Sequence, residues 1–244
     1  MPYYLTIDIG NTSAKAALWH GNELAAPAIW GRLKPLDITR LCAQAQGEVA
    51  CAALCSVAGD LYGLDDAAAA ASAKYMRLDA ATPVPISLEM YGTVGTLGTD
   101  RIAALCGAQS LHLGSELLVV DYGTAVTYDR LSADGRFLGG NIAPGIGMRL
   151  RAMHEFTAKL PEVATDIDAP LWGLTTAQAM QAGAMRGVIA ETLYYHGQAP
   201  EGTRLIITGG RSPQIASHLP IECTVDPDLV LRGLKHIIDY NENK

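Results

Sequence analysis

Apolar and polar positions along the chain mark out short strands and amphipathic helices. Residues 3–9, YYLTIDI, are β-branched or aromatic at most positions and predict a buried strand. GNT follows, and residues 13–19 continue as a second strand. The turn residues HGNE at 20–23 lead into a third, from about Leu24 to Trp30. This layout predicts a meander of three antiparallel strands. It recurs downstream as a strand from about Glu116 to Asp121, a turn at Gly123 and a strand to about Leu131. The turn SADG at 132–135 and a third strand from Arg136 to Ile142 complete the second copy. The agreement in length and turn chemistry points to an internal duplication.

Between the copies, helical periodicity covers Ile38–Gln46, Asp65–Met76 and Arg101–Leu111, while CAALCSVAG and KYMRL read as buried strands. After the second meander come helices at roughly Ile146–Leu160 and Thr176–Tyr195, then a strand, RLIITGG, at 204–210. The last segment, DLVLRGLKHIIDYN at 228–241, carries Leu229, Leu231, Leu234, Ile237 and Ile238 on one helical face. The expected architecture is α/β with two domains, 1–114 and 115–244, each opening on a meander. DDAAAAASA is compositionally biased but is a good helix former rather than a linker.

Composition narrows the function classes. Nearly half of the 244 residues (49%) are hydrophobic, enough for a sizeable core. The net charge is −7, with no Lys/Arg run that would serve nucleic acid. A phosphate ligand must therefore be held locally, by backbone N–H groups, a cation or a single Lys. The five cysteines are odd in number, form no C-x-x-C pair, and are expected as reduced core residues of a cytoplasmic protein. Asp8 interrupts any leader-like apolar run, and VACAALCSVAG is too short to span a bilayer.

Each meander carries the same acidic turn: LTIDIGNTSAKAAL at 5–18 and LLVVDYGTAVTYDR at 117–130. A Gly just after a strand-end Asp lets the backbone turn sharply, and successive N–H groups there form an anion nest. Thr12 and Ser13 in one copy, Thr124 and Thr127 in the other, add hydroxyl donors. The carboxylates of Asp8 and Asp121 would repel phosphate unless a hard cation lay between, so both are candidate cation ligands. Lys15 is spaced to add a point positive charge. A single D-x-G-x-T would read as a hairpin turn. Two matched copies, facing each other across a cleft, would grip a di- or triphosphate from both ends. GNTSAK lacks Walker A spacing, and GTVGTLG at 92–98 opens no dinucleotide-binding unit.

In order along nearly the whole chain, DIGNTSAK (8–15), Tyr91 with LGTDR (97–101), DYGTAVTYD (121–129), GGNIAPG (139–145), TTAQAMQAG (175–183), ITGG (207–210) and LRGLKHIIDYN (231–241) resemble the motifs of type III pantothenate kinases. These belong to the superfamily of acetate and sugar kinases, heat-shock chaperones and actin. The chain departs from the family pattern at Val94, where Pro is common, and at Thr175, where Asn is common.

The resemblance implies two duplicated ribonuclease-H-like (actin-like ATPase) domains with a cleft between them. It also implies ATP-dependent phosphorylation of pantothenate to 4′-phosphopantothenate, the first step toward coenzyme A. On it, Asp8, Ile9, Gly10, Asn11, Thr12, Ser13, Ala14 and Lys15 form the magnesium and phosphate loop, and Thr124 contacts ATP. Tyr91, Gly98, Thr99, Asp100, Arg101 and Thr176 bind pantothenate. Asp121 holds a monovalent cation, K⁺ or NH₄⁺, and Gly209 and Gly210 approach the nucleoside. Asp100, expected exposed at a helix start and kept charged by the helix N-terminus, is the general base. Arg101 would grip an anionic or amide part of the substrate. Thr176 is expected also to cap its helix. The family is a homodimer, and no nucleic-acid or membrane partner is expected. Another small-molecule kinase or phosphohydrolase of the superfamily, and a non-catalytic nucleotide-binding regulatory module, are the competing readings.

Overall fold

A computed structural model describes residues 1–58 and 63–243. The chain runs β1 (Tyr3–Ile9), β2 (Ala14–His20), β3 (Glu23–Leu24), β4 (Ile29–Gly31), α1 (Pro35–Cys42), β5 (Val49–Ser56), α2 (Leu64–Ala70), β6 (Lys74–Arg77) and α3 (Thr99–Leu111). It continues through β7 (Leu117–Tyr122), β8 (Ala125–Leu131), β9 (Phe137–Pro144), α4 (Ile146–Glu155), α5 (Thr176–Gln198), β10 (Arg204–Thr208), α6 (Ser212–Ala216), β11 (Thr224–Val225) and α7 (Leu229–Glu242).

One compact unit comprises Met1–Gly114, Ala133–Phe137 and Asp228–Lys244. Its sheet has the order β3-β2-β1-β5-β6, with β4 also on β2. β1 pairs antiparallel with β2 and parallel with β5, which pairs parallel with β6. The other unit comprises Ser115–Ser132 and Leu138–Pro227, and its sheet has the order β9-β8-β7-β10-β11. β7 is antiparallel to β8 and parallel to β10, and β10 is parallel to β11. The duplication inferred from the two acidic turns thus extends to strand order and direction.

β1 is buried on both faces, as a central strand of this kind must be. Leu5, Ile7 and Ile9 join Ile38 and Leu41 of α1 and Leu64 and Ala68 of α2 in one core cluster. On the other face Thr6 is fully buried, its hydroxyl accepting from Trp19 Nε1 at 2.8 Å, and α7 packs over the strand. In the second unit, Leu118, Val120, Met185, Val188, Leu205 and Ile207 form the corresponding core.

Several elements differ from the sequence expectation. The third strand of the first meander is broken into β3 and β4, both on β2. The helix expected over 65–76 stops at Ala70, where the Ser72 hydroxyl donates to the Ala68 carbonyl at 2.8 Å and β6 is drawn into parallel pairing with β5. β6 is an edge strand with exposed Lys74 and Arg77, not a buried one. The expected strand over 51–59 is β5, and its last residue, Gly59, lies outside the described residues. α4 ends at Glu155, short of Leu160, and α5 continues to Gln198. α6 and β11 carried no clear periodic pattern.

Nor do the contacts follow a single cut at 114/115. The segment 133–137 and the last helix belong to the first unit. α7 buries its expected apolar face there, against α3 as well as the sheet. The two helices touch backbone to backbone. A Cβ on Gly233 would lie 1.7 Å from the Ala103 carbonyl oxygen, and one on Gly107 would lie 2.3 Å from that of Leu229. Helix-interior glycine costs about 1 kcal/mol relative to Ala, so these two glycines are retained for close approach rather than for helix stability.

Replacing Gly233 by Val is therefore expected to separate α3 from α7 and cost roughly 2–3 kcal/mol or more, lowering the thermal midpoint by about 5–10 °C. Thermal unfolding followed by circular dichroism checks this; an unchanged midpoint would contradict the backbone contact.

Candidate functional site

In the first unit, the turn between β1 and β2 is closed by the Gly10 N–H donating to the Ser13 carbonyl at 3.0 Å. The strand register sets Asp8 opposite Lys15 and Ile9 opposite Ala14. Ile9 and Ala14 are core residues, so what they offer a ligand is backbone, whereas Asn11 and Thr12 are exposed. Parallel pairing with β5 sets Asp8 beside Cys55, whose thiol donates to Asp8 Oδ1 at 3.3 Å.

Asp100 enters this cluster from α3. The Thr99 hydroxyl, in the first turn, donates to the Ser56 carbonyl at 3.3 Å and ties the helix start to the end of β5. Gly98 is the residue just before that turn. Asp100 Oδ1 accepts from the Arg101 backbone N–H at 2.7 Å. Burial, followed by the charge on Asp100, raises the Asp8 carboxyl to about 6, against the opposing pull of the Cys55 thiol and Lys15. Asp100 is itself half-buried, and burial raises its pKa against the Arg101 backbone and charge. The expectation of an exposed, ordinary carboxylate at 100 is thereby corrected: lodging α3 against the end of β5 removes water from it.

Arg101 is only 6% exposed, its guanidinium lying 6.0 Å from the Tyr91 ring centroid and 5.8 Å from that of Phe137. The two rings pack together at 5.4 Å. Lys15 also faces Asp228, at 3.9 Å, at the start of α7. Five sequence-selected side chains, Asp8, Lys15, Tyr91, Asp100 and Arg101, thus share one connected neighbourhood. Sequence reasoning missed three neighbours. Cys55 was assigned to the core, which is correct, but its contact with Asp8 follows from a strand pairing that periodicity does not specify. Phe137 arrives on the segment 133–137. Asp228 did carry a signal, an Asp at a helix start.

In the second unit, Asp121 lies half-buried near the end of β7, next to Thr208 of β10 in register. The Gly123 N–H donates to the Ala125 carbonyl at 3.1 Å, the counterpart of the Gly10 turn, and the Gly145 N–H donates to the Thr124 carbonyl at 3.0 Å. Thr124 is exposed. Gly209 has φ +95°, and a Cβ there would lie 2.6 Å from the Tyr122 carbonyl oxygen and 2.7 Å from Asp121 Oδ1. Only glycine fits at this position, because these two oxygens occupy the space a side chain would need. Gly210 beside it is exposed. Thr176 is the exposed first residue of α5 and does not cap it. Thr175 does, its hydroxyl accepting from the Gln178 N–H at 3.2 Å, because the cap must lie one residue outside the helix.

Among the described residues no group of three or more His, Cys, Asp or Glu gathers as a metal cage. What is present suits a cation held by one or two carboxylates and completed by phosphate and water, as Mg²⁺ usually is. No described helix is long and apolar enough to cross a membrane.

Comparison with known proteins places the chain in a family and a fold. The family model described as type III pantothenate kinase matches residues 4–196. A type III pantothenate kinase of Porphyromonas gingivalis W83 is 36% identical, covering 99% of this chain and 100% of its own. One from Phocaeicola vulgatus is 37% identical, covering 98% of each. Among solved structures, the activator of 2-hydroxyisocaproyl-CoA dehydratase from Clostridium difficile with bound ADPNP superposes with a TM-score of 0.57 at 11% identity, covering 99% of this chain and 96% of that one. Component A of (R)-2-hydroxyglutaryl-CoA dehydratase from Acidaminococcus fermentans gives 0.54 at 15%, covering 98% and 97%. These establish the fold as the duplicated actin-like one.

The raised Asp8 pKa carries a sign. Its folded value, about 6 against 3.8, means that the native state holds the proton more tightly than the unfolded chain. Stability falls as pH rises through that window, and the ionised carboxylate is a cost at neutral pH. Asp8→Asn is expected to gain on the order of 2 kcal/mol at pH 7.5 in the absence of divalent cations, with a flatter profile between about pH 4 and 6. Urea titrations across that range check it. A variant less stable than the parent at pH 7.5 would reverse the reading.

Proposed function

The chain belongs to the type III pantothenate kinase family, and from that premise we propose how its residues divide the transfer of the ATP γ-phosphoryl group to the pantothenate primary hydroxyl in coenzyme A synthesis. Asp100 is the general base. Its carboxylate accepts the hydroxyl proton as the new O–P bond forms and the bond between the γ-phosphorus and the departing ADP oxygen breaks. Support comes from its place in one cluster with Asp8 and Arg101, and from a pKa that burial raises toward working pH. Such transfer depends on alignment and charge stabilisation more than on strong chemistry.

Arg101, stiffened between Tyr91 and Phe137, orients the anionic end of pantothenate, with Gly98, Thr99 and Thr176 contributing to the same binding function. The loop from Asp8 to Lys15 receives phosphate oxygens through its backbone and hydroxyls, and Lys15 adds charge. Asp8 is the residue for Mg²⁺, which when bound neutralises charge on the phosphates. Thr124 contacts ATP, Asp121 holds K⁺ or NH₄⁺, and Gly209 and Gly210 leave room for the nucleoside. The half-buried carboxylate of Asp121 near the end of β7, beside the exposed Thr124 turn, supports the cation role. The protein acts in the cytoplasm as a homodimer, a state supported by large apolar side chains that the second unit leaves exposed, notably Phe156 (85%) and Trp172 (81%).

With ATP, Mg²⁺ and K⁺, an enzyme-linked ADP assay should report turnover on pantothenate but not on simple sugars or without acceptor. Asp100→Asn should lower kcat at least a thousandfold while leaving ATP affinity within a few-fold; normal turnover would remove Asp100 as base. Exchanging K⁺ for Na⁺ should depress the rate in the parent but not in Asp121→Asn, and equal parental rates in the two salts would remove Asp121 from its role. Sedimentation velocity should show a dimer that Trp172→Glu with Phe156→Glu weakens; a monomeric parent would refute the assembly.

A further inference from the structure

α3 and α7 both begin at the catalytic cluster, with Asp100 in the first turn of one and Asp228 at the start of the other. The later part of α3, from Gln109 on, and the face of α7 that carries Arg232, Lys235, His236 and Asp239 border a cavity of about 350 Å³, which Trp19 also lines. Along α3, Gln109 lies roughly 13 Å from Asp100; along α7, Arg232 is one turn beyond Asp228, to whose carbonyl its N–H donates at 2.9 Å, and none of the lining residues belongs to the machinery described above. The volume falls in the range of small-molecule sites.

The wall carries one net positive charge, with Lys235 paired to Asp239. Among the described lining residues two side chains, Arg232 and Lys235, are permanently charged positive, against one carboxylate, Asp239. The Lys235 side chain is only 5% exposed, and its ammonium is held in place by Asp239 Oδ1 at 2.5 Å and Asn22 Oδ1 at 3.3 Å, above the Tyr4 ring at 4.3 Å. The Arg232 guanidinium lies over the Trp19 ring at 5.7 Å, and Trp19 is itself pinned through Nε1 to Thr6. Both cations are thus pre-positioned, which lowers the entropic cost of binding an anion. Gln109 and His236 add groups able to donate hydrogen bonds.

We propose that this cavity is a second ligand site, separate from the catalytic cluster, for a small oxyanion bearing a carboxylate or phosphate group. Arg232 provides the planar fork such a group accepts, the Lys235–Asp239 pair a fixed polar floor, and Gln109 and His236 further hydrogen-bonding groups, while the buried Trp19 ring holds Arg232 in place.

Trp19 also supplies the readout. Of three tryptophans, Trp30 and Trp172 are largely exposed, so Trp30→Phe with Trp172→Phe leaves one indole at the cavity. Titrating the full-length variant with inorganic phosphate, citrate or glycerol, with and without saturating Mg-ATP, should give saturable fluorescence changes for phosphate or citrate but not glycerol. Saturation by only one of the two anions assigns the site to that class. Mg-ATP should leave these changes in place. Arg232→Gln should weaken binding at least tenfold. So should Gln109→Glu, which puts a negative charge in the wall without disturbing the Arg232–Trp19 contact. Absence of saturation with either anion, loss of the signal when Mg-ATP is present, or unchanged affinity in a folded Gln109→Glu variant would each overturn the proposal.

Discussion

Two carboxylates that would each prefer water are held half-buried and within reach of one another's charge. Asp8 is brought there by a central strand and Asp100 by the first turn of a helix, and burial raises the pKa of both. Lys15, the Arg101 backbone and the Cys55 thiol offset part of the cost. The remainder is a standing affinity for positive charge. A cation bound there would relieve it, which is the role proposed above for Mg²⁺ at Asp8. The cluster thus costs stability at one end of the sheet, as functional sites commonly do.

Holding the carboxylates in place requires a rigid support, and the support is the α3–α7 pair. A helix start is positioned only as well as the helix behind it. α3 is tied to β5 by Thr99 and locked along its length by the backbone contact with α7 at Gly107 and Gly233. α7 in turn presents Asp228 to Lys15. The last segment of the chain therefore stabilises a site whose other parts come from its first 101 residues and from Phe137. Phe137 stiffens Arg101 from a segment that periodicity assigned to the second domain. The same two helices also wall the cavity that Gln109, Arg232 and Lys235 line.

What could be read from the chain alone was local. The two Asp-x-Gly turns, the strands that carry them and the amphipathic face of the last helix are all repeated or periodic patterns, and each reappears where it was expected. Asp8 and Lys15 were selected by the chemistry of the acidic turn and Asp100 and Arg101 by the resemblance to the family's motif, and the fold gathers all four in one neighbourhood. Where a segment's fate depends on a distant partner, local pattern was a poor guide. The helix over 65–76 was cut at Ala70 because residues 74–77 gain more from pairing with β5 than from helical turns. Thr175 rather than Thr176 became the cap, a one-residue choice set by where the helix begins.

The sequence by itself determined the duplication, the α/β character and the paired acidic turns at Asp8 and Asp121, because these reside in residue type and short-range spacing, while Asp100 and Arg101 were legible only through the family's motif. Tertiary structure alone decided that the final helix closes back on the first unit, that Cys55 and Phe137 touch functional side chains, and that Asp100 is half-buried rather than exposed. The physical reason is that packing and desolvation are properties of neighbours. Parallel strand pairing and glycine-to-glycine helix contact bring together residues that are far apart along the chain, and no periodicity within either segment encodes the partner it will meet.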